Sequence, residues 1–215
     1  MDKINVGFIG CGRISDLHYL GYIDNPSAQV YAVCDTNEDL LQKRKKEWGA
    51  LKTYQNYQDL LQDKEVDAVE ILSPQLLHEE MTIEAIKTGK HVGLQKPMTI
   101  DLESADRMLQ VASSYETIFK VTDNYLFYPP VILAKKLIEQ GEIGTPTNLR
   151  IKMISGGSGG WEVPSSAWAW RAAENADGRG FETFDHGHHL WAVAWYLLGK
   201  VERVSAWIDS IDGVI

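Results

Sequence analysis

Ile4-Asn5-Val6-Gly7-Phe8-Ile9 runs directly into Gly10-Cys11-Gly12-Arg13-Ile14-Ser15. The first six residues are a continuous apolar-rich run, the pattern of a parallel strand buried on both faces. The next six put two glycines at the mouth of a helix. Gly10 permits a tight turn after the strand, and Gly12 lets the backbone approach a pyrophosphate. The N–H groups of the helix start carry a partial positive charge toward such an anion, so Arg13 and Ile14 belong to the same cradle. Ser15 stands at the third, packing position, where a small residue suffices.

The pattern continues outward from this turn. Ile14–Asp24 reads as a helix stopped before Asn25-Pro26, Val30–Cys34 as a second strand, and Leu40–Trp48 as a helix closed by Gly49. A helical stretch at Tyr57–Leu61 precedes a strand at Val66–Leu72, then a helix at Glu79–Thr88 with Gly89 as its C′ residue. Strand His91–Leu94, helix Asp101–Ser113 and strand Ile118–Thr122 complete the run. Strands alternating with helices of about ten residues imply right-handed βαβ crossovers and a doubly wound parallel sheet. The expectation is an α/β chain with a Rossmann domain over residues 1–123. Asp35 ends the second strand about twenty residues past the glycines, where a carboxylate would accept hydrogen bonds from a ribose hydroxyl. It would repel a 2′-phosphate, and no Arg or Lys follows in Thr36-Asn37, so NAD is expected over NADP. A purely structural glycine turn, with Asp35 capping the next helix, is the competing reading.

After Tyr125 the rhythm changes, and residues 124–215 are expected to form a shortened α+β substrate domain. Pro130–Gln140 reads as a helix stopped at Gly141, and Thr147–Ile154 as a strand. Ser155–Gly180 is aperiodic, rich in glycine and tryptophan, and reads as a long loop of the kind that is functional or mobile. Thr183–Leu198 reads as a helix and Val201–Ile208 as a strand. A two-stranded sheet is marginal in water, so further strands or another subunit are expected to complete it.

Composition narrows the partners. The 215 residues carry a formal net charge of −9, which disfavours nucleic acid and anionic membranes. Lys43-Arg44-Lys45-Lys46 sits in a helical pattern flanked by acids and reads as a solvated face. Cys11 and Cys34 make neither a disulfide framework nor a metal pair. No apolar run approaches the ~20 residues that span a bilayer, so the cytoplasm is the expected address.

Segments spread along the chain resemble the family of glucose–fructose oxidoreductase, inositol dehydrogenase and rhizopine-catabolism proteins. Ser73-Pro74-Gln75-Leu76-Leu77-His78 is similar to its Thr-Pro-x-x-x-His turn. Gly89-Lys90-His91-Val92-Gly93-Leu94-Gln95-Lys96-Pro97 is similar to its Gly-Lys-His-Val…Glu-Lys-Pro segment, and Asp185-His186-Gly187-His188-His189 to its Asp-x-Gly-x-His segment. Asn124, Pro129 and Gly141-Glu142-Ile143-Gly144 fall where the family carries similar residues. The resemblance implies an NAD-dependent oxidoreductase acting on a ring hydroxyl of a sugar, glycoside or cyclitol. It also implies a homo-oligomer, although family members are longer than this chain. Gln95 departs from the family's usual Glu, and Gln75 stands where Asn is common.

Alcohol oxidation needs a hydride acceptor, a base for the hydroxyl proton and donors that orient the oxygen. Lys96 follows a strand's carboxyl end, where ligands bind in such sheets, and its cation would stabilise a developing alkoxide. Asp185 and His189, spaced i, i+4, would share one helix face. The resemblance implies that His189 takes the proton and Asp185 holds the sugar. It also places Ser73, Pro74, His78, Gln95 and Lys96 at the cofactor and Asn124 at the substrate. Trp170 and Arg171 would stack on and hydrogen-bond a sugar, or else cover the domain or a subunit contact. His186, His188 and His189 invite a metal, but hydride transfer needs none and no metal is expected. A non-catalytic NAD or sugar binder, or a truncated family member without turnover, is the alternative.

Overall fold

The structure, a computed structural model, describes residues 3–153 and 185–207. Chain contacts gather into two units, Met1–Thr122 and Asp123–Ile215. In the first unit the elements run β1 (Ile4–Ile9), α1 (Arg13–Tyr19), β2 (Ala28–Cys34), α2 (Glu38–Trp48), β3 (Lys52–Tyr54) and α3 (Tyr57–Gln62). They continue with β4 (Ala68–Ile71), α4 (His78–Lys87), β5 (His91–Gln95), α5 (Leu102–Ala112) and β6 (Phe119–Thr122), with a 3₁₀ turn at Gln75–Leu77 before α4.

The strands form one sheet in the order β3-β2-β1-β4-β5-β6, and every pairing is parallel. The doubly wound Rossmann expectation therefore holds. Strand order reverses beside β1, the topological switch point where such sheets bind ligands. Register puts Ile9 beside both Cys34 and Ile71, and Gln95 beside Thr122. Gly10, Asp35 and Lys96 consequently emerge from the same carboxyl edge of the sheet.

Both faces of the sheet are buried, as the unbroken apolar runs require. Val6, Phe8, Val30, Val33 and Leu41 pack in one cluster, with Trp48, Tyr19 and Tyr22 against it. Ile9, Cys34, Leu60, Ile71, Ile86, Leu94 and Met108 belong to the other. Asn37, Asn56 and Asp101 cap α2, α3 and α5 through their side chains, satisfying helix N–H groups that have no internal partner.

Three local readings change. Helix α1 ends at Tyr19 rather than Asp24, because Gly21 favours no helix and Asp24 adopts a left-handed φ of 54°. Strand β3 was not legible, being a three-residue edge element with no buried side chain. Arg44 is 4% exposed, so the basic run is a solvated face only at Lys43, Lys45 and Lys46.

The described part of the second unit holds a 3₁₀ turn (Tyr125–Phe127), α6 (Pro129–Glu139) and α7 (Gly187–Leu198). Pro129 starts α6, where its missing N–H costs nothing, and Gly141 follows its end with φ +77°. Residues 147–153 and 201–207, expected as strands, carry no strand among the described residues. An apolar, β-rich run becomes a strand only with a ladder partner, and none is present among the described residues. The Ser155–Gly180 loop, with Trp170 and Arg171, lies outside the described residues. No described helix is long and apolar enough to cross a membrane.

Candidate functional site

The glycine turn is built by backbone closeness. Gly10 has φ +99°, and a Cβ there would lie 2.8 Å from the Leu72 carbonyl oxygen. Its N–H donates to Cys34 O at 2.8 Å. The next N–H, of Cys11, donates to Asp35 Oδ2 at 2.8 Å, while Asp35 Oδ1 accepts from Asn37 N at 2.9 Å. Asp35 thus braces the loop, and the cap of α2 falls to Asn37. Ser15, fully buried, donates from Oγ to Gly12 O at 2.6 Å, which explains why a small hydroxyl residue serves there. Arg13 pairs with Asp16 at 3.0 Å on the exposed side of the helix start, next to the N–H of Ile14.

Arg44 supports this loop from below. Its Nε donates to Cys11 O at 3.3 Å, its Nη1 pairs with Asp16 and Glu47, and its guanidinium lies 4.9 Å from the Trp48 ring centroid. Burial, with Asp35 nearby, pushes both the Cys11 and Cys34 thiols up to about 12, so neither is a nucleophile at neutral pH.

Two further loops leave the same edge. Ser73-Pro74 follows β4, and Lys96-Pro97, a cis peptide, follows β5. His78 lies between them, with Nδ1 2.9 Å from Pro97 O and Nε2 3.0 Å from Ser73 O, and the neutral ring donates to one of the two. The ring is 1% exposed. Burial holds its pKa below the ordinary 6.5, the backbone at Ser73, Pro97 and Met98 opposes that shift, and Lys96 adds to it. An imidazole depressed in the folded state binds its proton more readily when unfolded, so its contribution is complete above that ordinary value and is lost as pH falls through it. The urea midpoint is expected to fall between about pH 7.5 and 5.5, and to fall less in His78→Gln; equal falls would refute this. Gln95 is also buried, and its Oε1 accepts the Lys96 backbone N–H at 2.7 Å.

In the second unit, His189 Nδ1 lies 2.9 and 3.0 Å from the two oxygens of Asp123. The Tyr125 ring stacks on His189 with centroids 4.1 Å apart, and His189 is 5% exposed. A carboxylate on Nδ1 puts the proton there and the lone pair on Nε2, the arrangement a general base needs. Asn124 starts the 3₁₀ turn, its carbonyl accepting from Phe127 N at 3.1 Å. Asp185 is buried, yet α7 begins at Gly187 with His186 at its N-cap, so Asp185 stands outside the helix that carries His189. The helical i, i+4 face is interrupted where glycine weakens helix propensity.

Asp123, His188 and His189 bring one ligand atom each to within 4.8 Å of one another. Two imidazoles and a carboxylate could hold a transition metal. The 2.9 Å Nδ1–Oδ1 contact is also that of an ordinary hydrogen bond. Asp123 was missed in the sequence because its partner lies 66 residues away; its place directly after β6 was the available signal.

Residues 4–123 match the model of an oxidoreductase family with an NAD-binding Rossmann fold, and residues 131–214 match the GFO/IDH/MocA C-terminal domain. The levoglucosan dehydrogenase of Pseudarthrobacter phenanthrenivorans is 28% identical over 98% of this chain and 55% of its own length. The myo-inositol 2-dehydrogenase of Thermotoga maritima is 35% identical over 69% of this chain and 44% of its own. Scyllo-inositol dehydrogenase from Lactobacillus casei, solved with NAD(H) and scyllo-inositol, is 29% identical with a TM-score of 0.64, over 66% of this chain and 43% of that one. The chain thus spans about half the length of the curated relatives it matches.

Proposed function

The chain belongs to the GFO/IDH/MocA oxidoreductase family with an NAD-binding Rossmann fold, and we propose that it moves a hydride between NAD and a ring hydroxyl of a sugar, glycoside or cyclitol. The single observation that carries this reading is the shared carboxyl edge, where the Gly10 turn, Asp35 and Lys96 emerge together beside the switch point. The nicotinamide, when bound, supplies the hydride chemistry. Gly10, Gly12, Arg13 and Ile14 hold the pyrophosphate, and Asp35 takes the ribose. Ser73, Pro74, His78 and Gln95 shape the loops beside the nicotinamide.

His189 removes the hydroxyl proton at Nε2, its tautomer set by Asp123 on Nδ1. Lys96 donates to the reacting oxygen and stabilises negative charge there. Asp185, Asn124, Trp170 and Arg171 bind the sugar. No step needs a metal, so dialysis against a chelator is expected to leave turnover intact; loss restored by zinc would overturn that. The test of function is NADH formation from NAD with a panel of hexoses, glycosides, sugar acids and inositols. A signal from none of them, with NAD bound, would refute the substrate class.

Asp35 governs the choice of nucleotide. Its carboxylate repels a 2′-phosphate while accepting from ribose hydroxyls. Asp35→Ser is expected to shift the NADP-to-NAD affinity ratio at least about tenfold toward NADP, the effect of roughly 1.4 kcal/mol. An unchanged ratio would remove Asp35 from the ribose site.

A further inference from the structure

Glu70 interrupts the apolar run of β4. The fold makes room for it: its register partner on β5 is Gly93, and a Cβ at Gly93 would lie 3.0 Å from the Glu70 carboxyl carbon and both oxygens. Tyr22 Oη donates to Glu70 Oε1 at 2.9 Å, and His18 Nδ1 lies 3.1 Å from Oε2. The far side of the His18 ring, Nε2, meets Gln95 Nε2 at 3.0 Å. Gln95 Oε1 accepts the Lys96 backbone N–H at 2.7 Å.

The direction of every link in this chain is determined. The Lys96 N–H can only donate, so the Gln95 amide must present its oxygen to Lys96 and its NH₂ to His18. His18 Nε2 must then accept, which places the ring proton on Nδ1. That proton goes to Glu70, which only accepts. Burial and the Glu70 charge raise the Tyr22 phenol, so it too remains a donor. A half-buried chain of this kind is coupled from end to end, because one reversed link leaves donor facing donor.

We propose that Glu70 is a positioning residue for Lys96, its carboxylate fixing the direction of a hydrogen-bond chain that runs through His18 and Gln95 to the Lys96 backbone N–H. The consequence for turnover rests on the role proposed above for Lys96; the chain itself does not.

Glu70→Met removes the terminal acceptor. With no carboxylate to hold the ring proton on Nδ1, that proton moves to Nε2 and the Gln95 amide turns its NH₂ toward Lys96. Glu70→Gln keeps an acceptor for His18, because Tyr22 can accept from the new NH₂, and should restore the native direction. Gln95→Glu accepts from Lys96 and from His18 Nε2–H alike, so it should free Lys96 from dependence on position 70.

The test reads the native chain first, by ¹⁵N NMR of the His18 ring. The Nδ1–H tautomer is expected, and an Nε2–H tautomer overturns the proposal without any variant. Hydrogen exchange at the Lys96 amide is then measured in Glu70→Met, Glu70→Gln and the double variant Glu70→Met/Gln95→Glu. Exchange is expected to be about tenfold faster in Glu70→Met, near native in Glu70→Gln, and near that of Gln95→Glu alone in the double variant. Unchanged exchange in Glu70→Met, or the same acceleration in both backgrounds, would reduce Glu70 to local packing. If exchange behaves as expected while NADH formation is unaffected in Glu70→Met, the role of Lys96 fails and the chain stands.

Discussion

Lys96→Ala is expected to lower turnover roughly a hundred- to a thousandfold, with NAD affinity within about a factor of two of the unaltered chain. On the function proposed above, the Gly10 turn takes the phosphates and Asp35 the ribose, which leaves the Lys96 ammonium for the reacting oxygen. The Lys96 backbone is held by Gln95 Oε1, and the following carbonyl, of Pro97, meets His78. Such fixed placement lets an ammonium stabilise developing charge without reorganising at the moment of reaction. Initial rates of NADH formation on whichever panel substrate responds, with NAD titrated by thermal shift, separate the two effects. Undiminished turnover would sink the assignment. A matched loss of NAD affinity would make Lys96 a cofactor anchor instead.

Gly10→Ala is expected to cost about 2–5 kcal/mol of stability and to abolish NAD binding. Two independent penalties meet there, a left-handed φ of +99° and a Cβ 2.8 Å from the Leu72 carbonyl oxygen. Backbone supplies the obstacle, so no side chain can swing aside to relieve it. Gly12→Ala makes the contrast, since a Cβ there meets nothing within 4 Å. It is expected to melt near the unaltered chain yet bind NAD far more weakly, because its glycine is needed only where a pyrophosphate approaches. If both variants melted alike and bound alike, the turn would serve the fold and not a nucleotide.

The sheet was largely legible because its strands are buried on both faces, which leaves long apolar runs such as Ile4–Ile9. Lys52–Tyr54 was illegible for the opposite reason: a short edge strand with polar residues offers no period to read. Arg44 misled because its sequence neighbours are exposed lysines, whereas Trp48, Asp16 and Glu47 draw its guanidinium inward. Segments 147–153 and 201–207 carry strand-like residues, but pairing is a long-range property that composition does not encode. The site shows the same division. Gly10, Asp35 and Lys96 announce themselves by local motif and position. Asp123, His18 and Glu70 meet partners 52 to 77 residues away, so no local spacing marks them.

The placement of β1 also sets how the first unit must assemble. It is synthesised before the other strands of its sheet, and β2 can join it once residues to Cys34 have emerged. Its other neighbour, β4, lies more than sixty residues along the chain. Until Ile71 is available, one long edge of β1 stays open, with Val6, Phe8 and Ile9 among its residues. The order of synthesis and the order of the sheet are thus at odds at the centre of the domain. Parallel pairing across such loops is slow compared with local helix formation, because closure entropy is spent before contacts reward it. The half-made sheet is therefore the species most exposed to edge-to-edge association during translation.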